Sequence, residues 1–143
     1  MIGASDVREE PLERAKALGA TETALVGRDA IDDESFDVVF ECSGVAVALT
    51  QAVRAARRAG TVVQVGMLPN ADIGVNLAPM LAKELTIRGA FRFSTEIDDA
   101  VRMLASSDAL DSVISHVLPA ADAVAAFELA RDSSASAKVL LAL

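Results

Sequence analysis

The stretch that decides the fold is Phe36-Asp37-Val38-Val39-Phe40-Glu41-Cys42-Ser43-Gly44. Its apolar residues form a nearly continuous run, as expected for a strand that is covered on both faces, and Ser43-Gly44 end this strand. Residues 46–58 then predict a helix with one buried face, which carries Leu49, Ala52, Val53 and Ala56. The β-branched residues 61–65 form the next strand and stop at Gly66. This order predicts two parallel strands joined by a crossover helix.

The same alternation continues on both sides of this stretch. Strands are predicted at residues 1–5, 23–26, 85–93, 113–118 and 138–143. Helices are predicted from Pro11 to a cap at Gly19, and over residues 77–83, 97–104 and 120–131. Arg54, Arg57 and Arg58 are assigned to the last turn of the central helix, where they complement its negative end. The chain is therefore predicted to be α/β with a parallel sheet, although the spacing after Phe93 is less typical of βαβ units.

Composition narrows the function classes. The chain has 143 residues, the size of one domain, and its net charge is −8. An acidic balance argues against nonspecific binding to nucleic acid or to an anionic membrane. We expect neither a membrane span nor a secretory signal, because apolar runs are short and no basic leader precedes one. With one cysteine and one histidine, the chain has no internal disulfide and cannot build a Cys/His zinc site, and a cytoplasmic location is expected.

Asp6 lies where the first predicted strand gives way to a loop, and open parallel sheets bind ligands at such ends. An acid at this place in a dinucleotide-binding fold accepts hydrogen bonds from the adenosine ribose hydroxyls. The same carboxylate repels a 2′-phosphate and so favours NAD over NADP. The alternative is an ordinary helix-capping aspartate. Arg8 is close enough to stack on adenine or to touch a phosphate, and its alternative is a solvated surface arginine.

Gly44 and Gly66 end their strands, and each has two compatible explanations. Glycine accepts a positive φ in a turn, and it also lets the backbone approach a flat cofactor ring. Arg92 is placed to bind a polar substrate or a phosphate, or else to form a salt bridge with an acidic neighbour. We expect Cys42 to be a buried, inert thiol, and His116 to be hydrogen-bonded for structural reasons.

A glycine-rich GxGxxG turn, which holds the pyrophosphate in Rossmann domains, does not occur in the sequence. Four parts of the chain nevertheless resemble medium-chain, zinc-type alcohol dehydrogenases, in that family's order. The second strand and its helix correspond to residues 3–6 and 14–22, and the fourth and fifth strands correspond to residues 36–44 and 60–66. The returning C-terminal segment of the family corresponds to residues 114–119 and 126–129. The stretch Gly89-Ala90-Phe91-Arg92-Phe93-Ser94 resembles the polyol branch, and residues 135–141 resemble enzymes of the L-idonate 5-dehydrogenase type.

The resemblance implies a fold and an activity. Residues 1–93 are expected to form a partial Rossmann-like parallel sheet that lacks the first strand and the glycine-rich turn. Residues 94–143 are expected to return toward the GroES-like catalytic domain. The implied parent enzyme uses NAD, rather than NADP, and zinc to oxidise a secondary alcohol of a polyol or sugar acid, and it is a homo-oligomer. Zinc would polarise the substrate hydroxyl while the cofactor takes the hydride.

The resemblance also implies roles for individual residues. It assigns Asp6 to the adenosine ribose, Ser43 and Gly44 to the stretch that lies along the cofactor, Val65, Gly66 and Met67 to the nicotinamide carboxamide, Ala90 and Arg92 to the wall between nicotinamide and substrate, and Lys138 to the pyrophosphate. It assigns no catalytic residue and no zinc ligand, because the zinc ligands of the family lie outside this chain. His116 matches a histidine that is not a ligand in the family.

The family's sheet order is 3-2-1-4-5-6, so a missing first strand leaves a gap between the second and fourth strands. We therefore expect the chain to be the C-terminal portion of a longer dehydrogenase, and to give no turnover alone. Two alternatives remain open. One is a non-enzymatic α/β module that binds a nucleotide or a partner, and the other is a zinc-free quinone reductase of the same superfamily.

Overall fold

The computed structural model describes residues 1–93 and 95–143, so Ser94, the last residue of the quoted 89–94 stretch, lies outside the described residues. The chain divides into two compact units. Unit 1 contains Met1–Val26 and the described residues of 94–143, and unit 2 contains Gly27–Phe93. The strand pairs in both units are parallel, which confirms the predicted α/β class.

Unit 2 is a three-stranded sheet with helices. Its elements are β3 (Phe36–Glu41), α2 (Ala46–Ala55), β4 (Ala56–Gln64), α3 (Ala78–Ala82) and β5 (Thr86–Gly89). The strand β4 lies between β3 and β5. Residues aligned across the sheet include Val39, Val62 and Ile87, and Glu41 is aligned with Gln64 at the carboxyl end.

The core of unit 2 forms between α2 and the sheet. Val53 on the helix and Val62 on β4 are both completely buried, and Leu49 and Ala52 pack with them. These helix residues are the face that the sequence periodicity predicts. Complete burial of a valine side chain contributes about 1.5 kcal/mol or more, so this contact fixes the helix against the sheet.

Two predicted boundaries in unit 2 are wrong. The helix α2 ends at Ala55, and Arg57 and Arg58 lie in β4 rather than in its last turn. The end of α2 is instead capped by Lys83, which is only 5% exposed. Its Nζ donates hydrogen bonds to the carbonyl oxygens of Val53, Arg54 and Ala56 at 2.7, 2.9 and 2.6 Å. The strand β5 also ends early, at Gly89 instead of Phe93.

Unit 1 holds two parallel strand pairs. Its strands and α-helices are β1 (Gly3–Asp6), α1 (Glu9–Ala17), β2 (Glu22–Leu25), α4 (Glu96–Ser106), β6 (Ile114–Pro119), α5 (Ala123–Arg131) and β7 (Lys138–Ala142), and 3₁₀ turns cover Asp108–Val113 and Ala120–Asp122. Gly19, with φ of 102°, follows the end of α1 as predicted. Because β6 and β7 are parallel and α5 connects them, the segment after Phe93 does contain a βαβ unit.

Among the residues that the structure describes, the strands β1 and β3 each have one neighbour. Within the described residues, β1 pairs with β2 alone and β3 pairs with β4 alone. These are the strands that resemble the second and fourth strands of the family, which would flank the first one. In the described residues, none of the helices is both long and apolar enough to cross a membrane.

Candidate functional site

The loops that follow β3 and β4 cross in direct backbone contact. Gly44 has φ of 74°, and a Cβ added to it would lie 2.4 Å from the carbonyl oxygen of Met67. A Cβ on Gly66 would lie 2.2 Å from the amide nitrogen of Gly44. Both contacts are far shorter than real Cβ contacts, so neither position accepts a side chain without moving the backbone. The close approach of the two loops to one another accounts for both glycines, with the turn conformation as an added reason at Gly44.

Glu41, the last residue of β3, lies beneath this crossing and is 4% exposed. Its carboxylate accepts hydrogen bonds from the backbone amides of Ser43 at 2.7 Å and Gly44 at 3.0 Å, and also from the Ser43 hydroxyl. The side-chain amide of Gln64 donates to its other oxygen. Burial alone would raise the pKa of Glu41, but these donors outweigh it and hold the pKa below the ordinary value.

Sequence reasoning missed Glu41 as a site residue. The available signal was an acid at the last position of an otherwise apolar strand, directly before Ser43-Gly44. The polar Gln64 ends β4 at the aligned position. Polar residues at the carboxyl ends of two parallel strands indicate the ligand-binding edge of the sheet, but the register that joins these two is seen only in the structure.

The remaining predicted residues of unit 2 lie on exposed loop backbone. Val65 and Met67 are 47% and 77% exposed, and the amides of Val65 and Gly66 both donate to the Glu41 carbonyl oxygen at 2.8 Å. The amide of Ala90 donates to the Gln64 carbonyl oxygen at 2.9 Å, which ties the loop after β5 to the end of β4. The edge of the sheet is therefore a continuous hydrogen-bonded backbone surface.

Arg92 forms no salt bridge within the described part of the chain. Its guanidinium carbon lies 4.9 Å from the centre of the Phe91 ring, a cation–π contact, and its side chain is exposed. Its φ of 56° is unusual for a residue with a side chain. Cys42 is exposed, so the expectation of a buried thiol is wrong. Partial desolvation and the charge of Glu41 raise the pKa of Cys42, which keeps the thiol protonated and unreactive.

Asp6 and Arg8 lie together in unit 1, at the carboxyl end of β1. The Asp6 Oδ1 atom accepts a hydrogen bond from the backbone amide of Arg8 at 2.9 Å. Its Oδ2 atom has no hydrogen-bond partner within residues 1–93 and 95–143. The N-cap of α1 is Arg8, and no side chain bonds to the helix end there, so Asp6 is not the helix cap.

The Arg8 guanidinium turns toward the loop before β7 and donates to the carbonyl oxygen of Ser133. The pKa of Asp132 is lowered mainly by the hydroxyl and amide of Ser134, and the charge of Arg8 also contributes. Arg8 is thus held by protein contacts and is not a freely solvated arginine.

Lys138 begins β7 in unit 1 and is exposed. The imidazole Nδ1 of His116 lies 3.0 Å from the Ser115 hydroxyl, in agreement with a structural role for this histidine. Asp6, Arg8 and Lys138 therefore belong to unit 1, whereas Ser43, Gly44, Val65, Gly66, Met67, Ala90 and Arg92 belong to unit 2.

The donor chemistry of the described residues does not fit zinc. Among the described residues, no three His, Cys, Asp or Glu side chains lie together as metal ligands would. The single cysteine is in unit 2 and the single histidine is in unit 1. We therefore assign no step of a reaction to a metal held by these residues.

Comparison with known proteins gives consistent matches over this chain. The model of the zinc-binding dehydrogenase family matches residues 1–106. D-xylulose reductase of Saccharomyces cerevisiae is 33% identical over 137 residues, which cover 86% of this chain and 38% of the yeast protein. L-idonate 5-dehydrogenase (NAD(P)(+)) of Escherichia coli is 32% identical over 146 residues, which cover 98% of this chain and 42% of that protein.

Solved structures agree with the sequence matches. The crystal structure of the Escherichia coli L-idonate 5-dehydrogenase has a TM-score of 0.90 and 30% identity, and the match covers 99% of this chain and 42% of that one. A Sinorhizobium meliloti protein, assigned to the zinc-binding dehydrogenases and solved with NADP, has a TM-score of 0.82 and 25% identity over 100% of this chain and 45% of its own. The chain spans about two fifths of the length of the curated relatives that it matches.

Proposed function

The chain belongs to the zinc-binding dehydrogenase family, and on that premise we propose that it forms part of the cofactor-binding side of an NAD-dependent polyol or sugar-acid dehydrogenase. In this proposal residues 1–93 bind and orient the cofactor, and residues 94–143 return toward the catalytic domain. The substrate is a secondary alcohol of the L-idonate type. The similarity to polyol and L-idonate dehydrogenases supports this substrate class. The parent enzyme is proposed to be homo-oligomeric.

The observation that carries the proposal is the environment of Asp6. One carboxylate oxygen is held by the Arg8 amide at 2.9 Å, which fixes the orientation of the side chain. The other oxygen is available to accept hydrogen bonds from the two hydroxyls of an adenosine ribose. Since the position at the carboxyl end of β1 is the one where dinucleotide-binding folds place their ribose-binding acid, Asp6 fits the adenosine half of the cofactor.

The preference for NAD over NADP follows from charge. A 2′-phosphate on the ribose would meet the Asp6 carboxylate, and two like charges at hydrogen-bond distance repel each other. An arginine close by can accommodate such a phosphate in NADP enzymes. Here the Arg8 guanidinium is bonded to the Ser133 carbonyl oxygen, and turning it toward a phosphate would cost that bond. Both features support NAD as the cofactor.

In unit 2 the proposal assigns the nicotinamide end of the cofactor to backbone. The loops after β3 and β4 present Ser43, Gly44 and residues 65–67, and the loop after β5 adds Ala90 and Arg92. A bound dinucleotide would supply the hydride acceptor. These loops would supply a rigid, hydrogen-bonded surface against which a flat ring rests.

The test is a titration of the purified 143-residue chain with NAD and with NADP. Binding is monitored by ligand-observed NMR, which detects weak binding. We expect NAD to bind more tightly than NADP. Asp6→Asn removes the repelling charge and one acceptor, so it should reduce the preference by about tenfold, the effect of one charge-assisted hydrogen bond. Asp72→Asn, at an exposed loop position in unit 2, is the matched control and should bind as the wild-type chain does.

Equal affinity for NAD and NADP in the wild-type chain, or no effect of Asp6→Asn, would refute the role of Asp6. An activity assay with L-idonate and with sorbitol is the second measurement. The chain alone is proposed to reduce no NAD, since the family's zinc chemistry needs ligands that these residues do not provide. Measurable turnover would contradict that part of the proposal.

A further inference from the structure

The end of β3 carries a buried charge that the proposed roles do not use. The Glu41 carboxylate is surrounded by donors on two different loops. Ser43 and Gly44 bond to it from the loop after β3, and Gln64 reaches it from the end of β4. A buried carboxylate is tolerated only when hydrogen bonds replace the water it has lost, and these donors meet that requirement.

The contacts of Gln64 extend this linkage to Gly66. Its side-chain nitrogen Nε2 donates both to the Glu41 carboxylate and to the Gly66 carbonyl oxygen, the latter at 2.7 Å. The reverse orientation of the amide would place its oxygen against two acceptors. The charge on Glu41 therefore sets the orientation of Gln64, and Gln64 in turn holds the carbonyl group of Gly66.

The backbone of Glu41 joins the same two loops. Its carbonyl oxygen accepts hydrogen bonds from the amides of Val65 and Gly66, both at 2.8 Å. Since Gly44 and Gly66 are in direct backbone contact, a small shift of one loop must displace the other. One residue thus controls the relative position of the two loops through both its main chain and its side chain.

We propose that Glu41 is a positioning residue, which fixes the loops after β3 and β4 in the arrangement that receives the nicotinamide end of the dinucleotide. This inference rests on the proposed function, because that function assigns Ser43, Gly44 and Gly66 to the cofactor. Glu41 itself does not touch the cofactor. It acts by holding the Ser43 and Gly44 amides and, through Gln64, the Gly66 carbonyl group.

The experiment compares NAD with ADP-ribose, which lacks the nicotinamide. Both are titrated into the full chain, and binding is followed by the NMR shifts of backbone amides. Glu41→Gln keeps an acceptor for Ser43 and Gly44 but turns an amide group toward that of Gln64. We expect NAD affinity to fall by about tenfold, the effect of one hydrogen bond to a charged group, while ADP-ribose affinity changes by less than about twofold.

A second variant guards against a general loss of folding. Gln64→Met preserves the volume of the side chain and leaves the bonds from Ser43 and Gly44 to Glu41 intact, yet it releases the Gly66 carbonyl oxygen. It should reproduce the selective loss of NAD affinity. The control is Glu128→Gln, which removes the same charge from an exposed position of α5 and should alter neither affinity.

The outcomes separate the two proposals. Unchanged NAD affinity in both variants, or an equal fall for NAD and ADP-ribose, would mean that Glu41 supports the fold in general, and the positioning role would be overturned. A wild-type chain that binds neither ligand would overturn the proposed function and the cofactor-directed role of Glu41 together. A selective loss for NAD in both variants, with the control unchanged, is the result that the geometry predicts.

Discussion

Replacement of Lys83 by methionine tests the account of how unit 2 is held together. The Lys83 ammonium group donates to three carbonyl oxygens at the end of α2 and the start of β4, at 2.7, 2.9 and 2.6 Å. These bonds use all three protons of the group. Methionine has a similar length and packs in the same space, but it donates nothing, so the variant isolates the hydrogen bonds from the packing.

The magnitude follows from the number of carbonyl groups released. Each buried acceptor left without its donor costs about 1 kcal/mol or more. The Arg54 carbonyl oxygen keeps a second donor, the Glu34 amide at 3.0 Å, whereas those of Val53 and Ala56 lose the Lys83 donor. For these two groups we expect a loss of about 2 kcal/mol in the free energy of unfolding, because the carbonyl groups at a helix end have no partner within the helix. The methionine also avoids the cost of burying an ammonium group, so the net loss in the free energy of unfolding should not exceed this value.

The assay is urea denaturation followed by far-UV circular dichroism, since the chain contains neither tryptophan nor tyrosine. Lys16→Met is the matched control. Lys16 pairs with Glu13 at 2.8 Å, and the two side chains are 52% and 69% exposed. We expect a change within about 0.5 kcal/mol there. Amide exchange should show the loss of protection in α2 and β4 for Lys83→Met. Equal stability of the two variants would refute this reasoning.

Two further predictions concern the loop crossing. Gly66→Ala places a Cβ 2.2 Å from the Gly44 amide nitrogen, so we expect a loss of about 3 kcal/mol in thermal or urea unfolding, whereas Gly74→Ala, with nothing within 4 Å of its Cβ, should change stability by less than about 1 kcal/mol. A folded-state pKa of Glu41 below the ordinary value of 4.5 means that its stabilising contribution is complete above that pH and disappears as the pH falls through the folded pKa. Unfolding curves of the wild-type chain should therefore lose stability in this acid range faster than those of Glu41→Gln, and parallel curves would argue against it.

Much of the fold was predictable from the sequence because each element shows its own burial pattern. The apolar run in residues 36–41 gives β3, and the spacing of Leu49, Ala52 and Val53 gives the buried face of α2. The absence of a glycine-rich turn, together with the similarity of the segments in order, indicated a partial Rossmann-like fold, and the family match and the parallel strand pairs agree with it. Local periodicity determines such features, since it reflects which side of a single element faces the core.

The predictions that were wrong involve contacts between distant residues. Arg57 and Arg58 suit a helix end by position, but Lys83, at a separation of 27 residues from Ala56, caps it instead. Cys42 is exposed although Glu41, the residue before it, is buried, as expected where successive side chains point to opposite faces. The contact between the two loops, which adds a reason for glycine at positions 44 and 66, is likewise a contact between distant residues that the sequence pattern does not show.

The sequence by itself determined the order of strands and helices, the family, and the acid at the end of β1. Only the tertiary structure decided which polar groups at the strand ends are joined. Glu41 and Gln64 are 23 residues apart, and the parallel register of β3 and β4 brings them together. A hydrogen bond requires the donor and the acceptor, here on separate elements, to be placed correctly to within a few tenths of an ångström, and packing rather than the local pattern of residues fixes that placement.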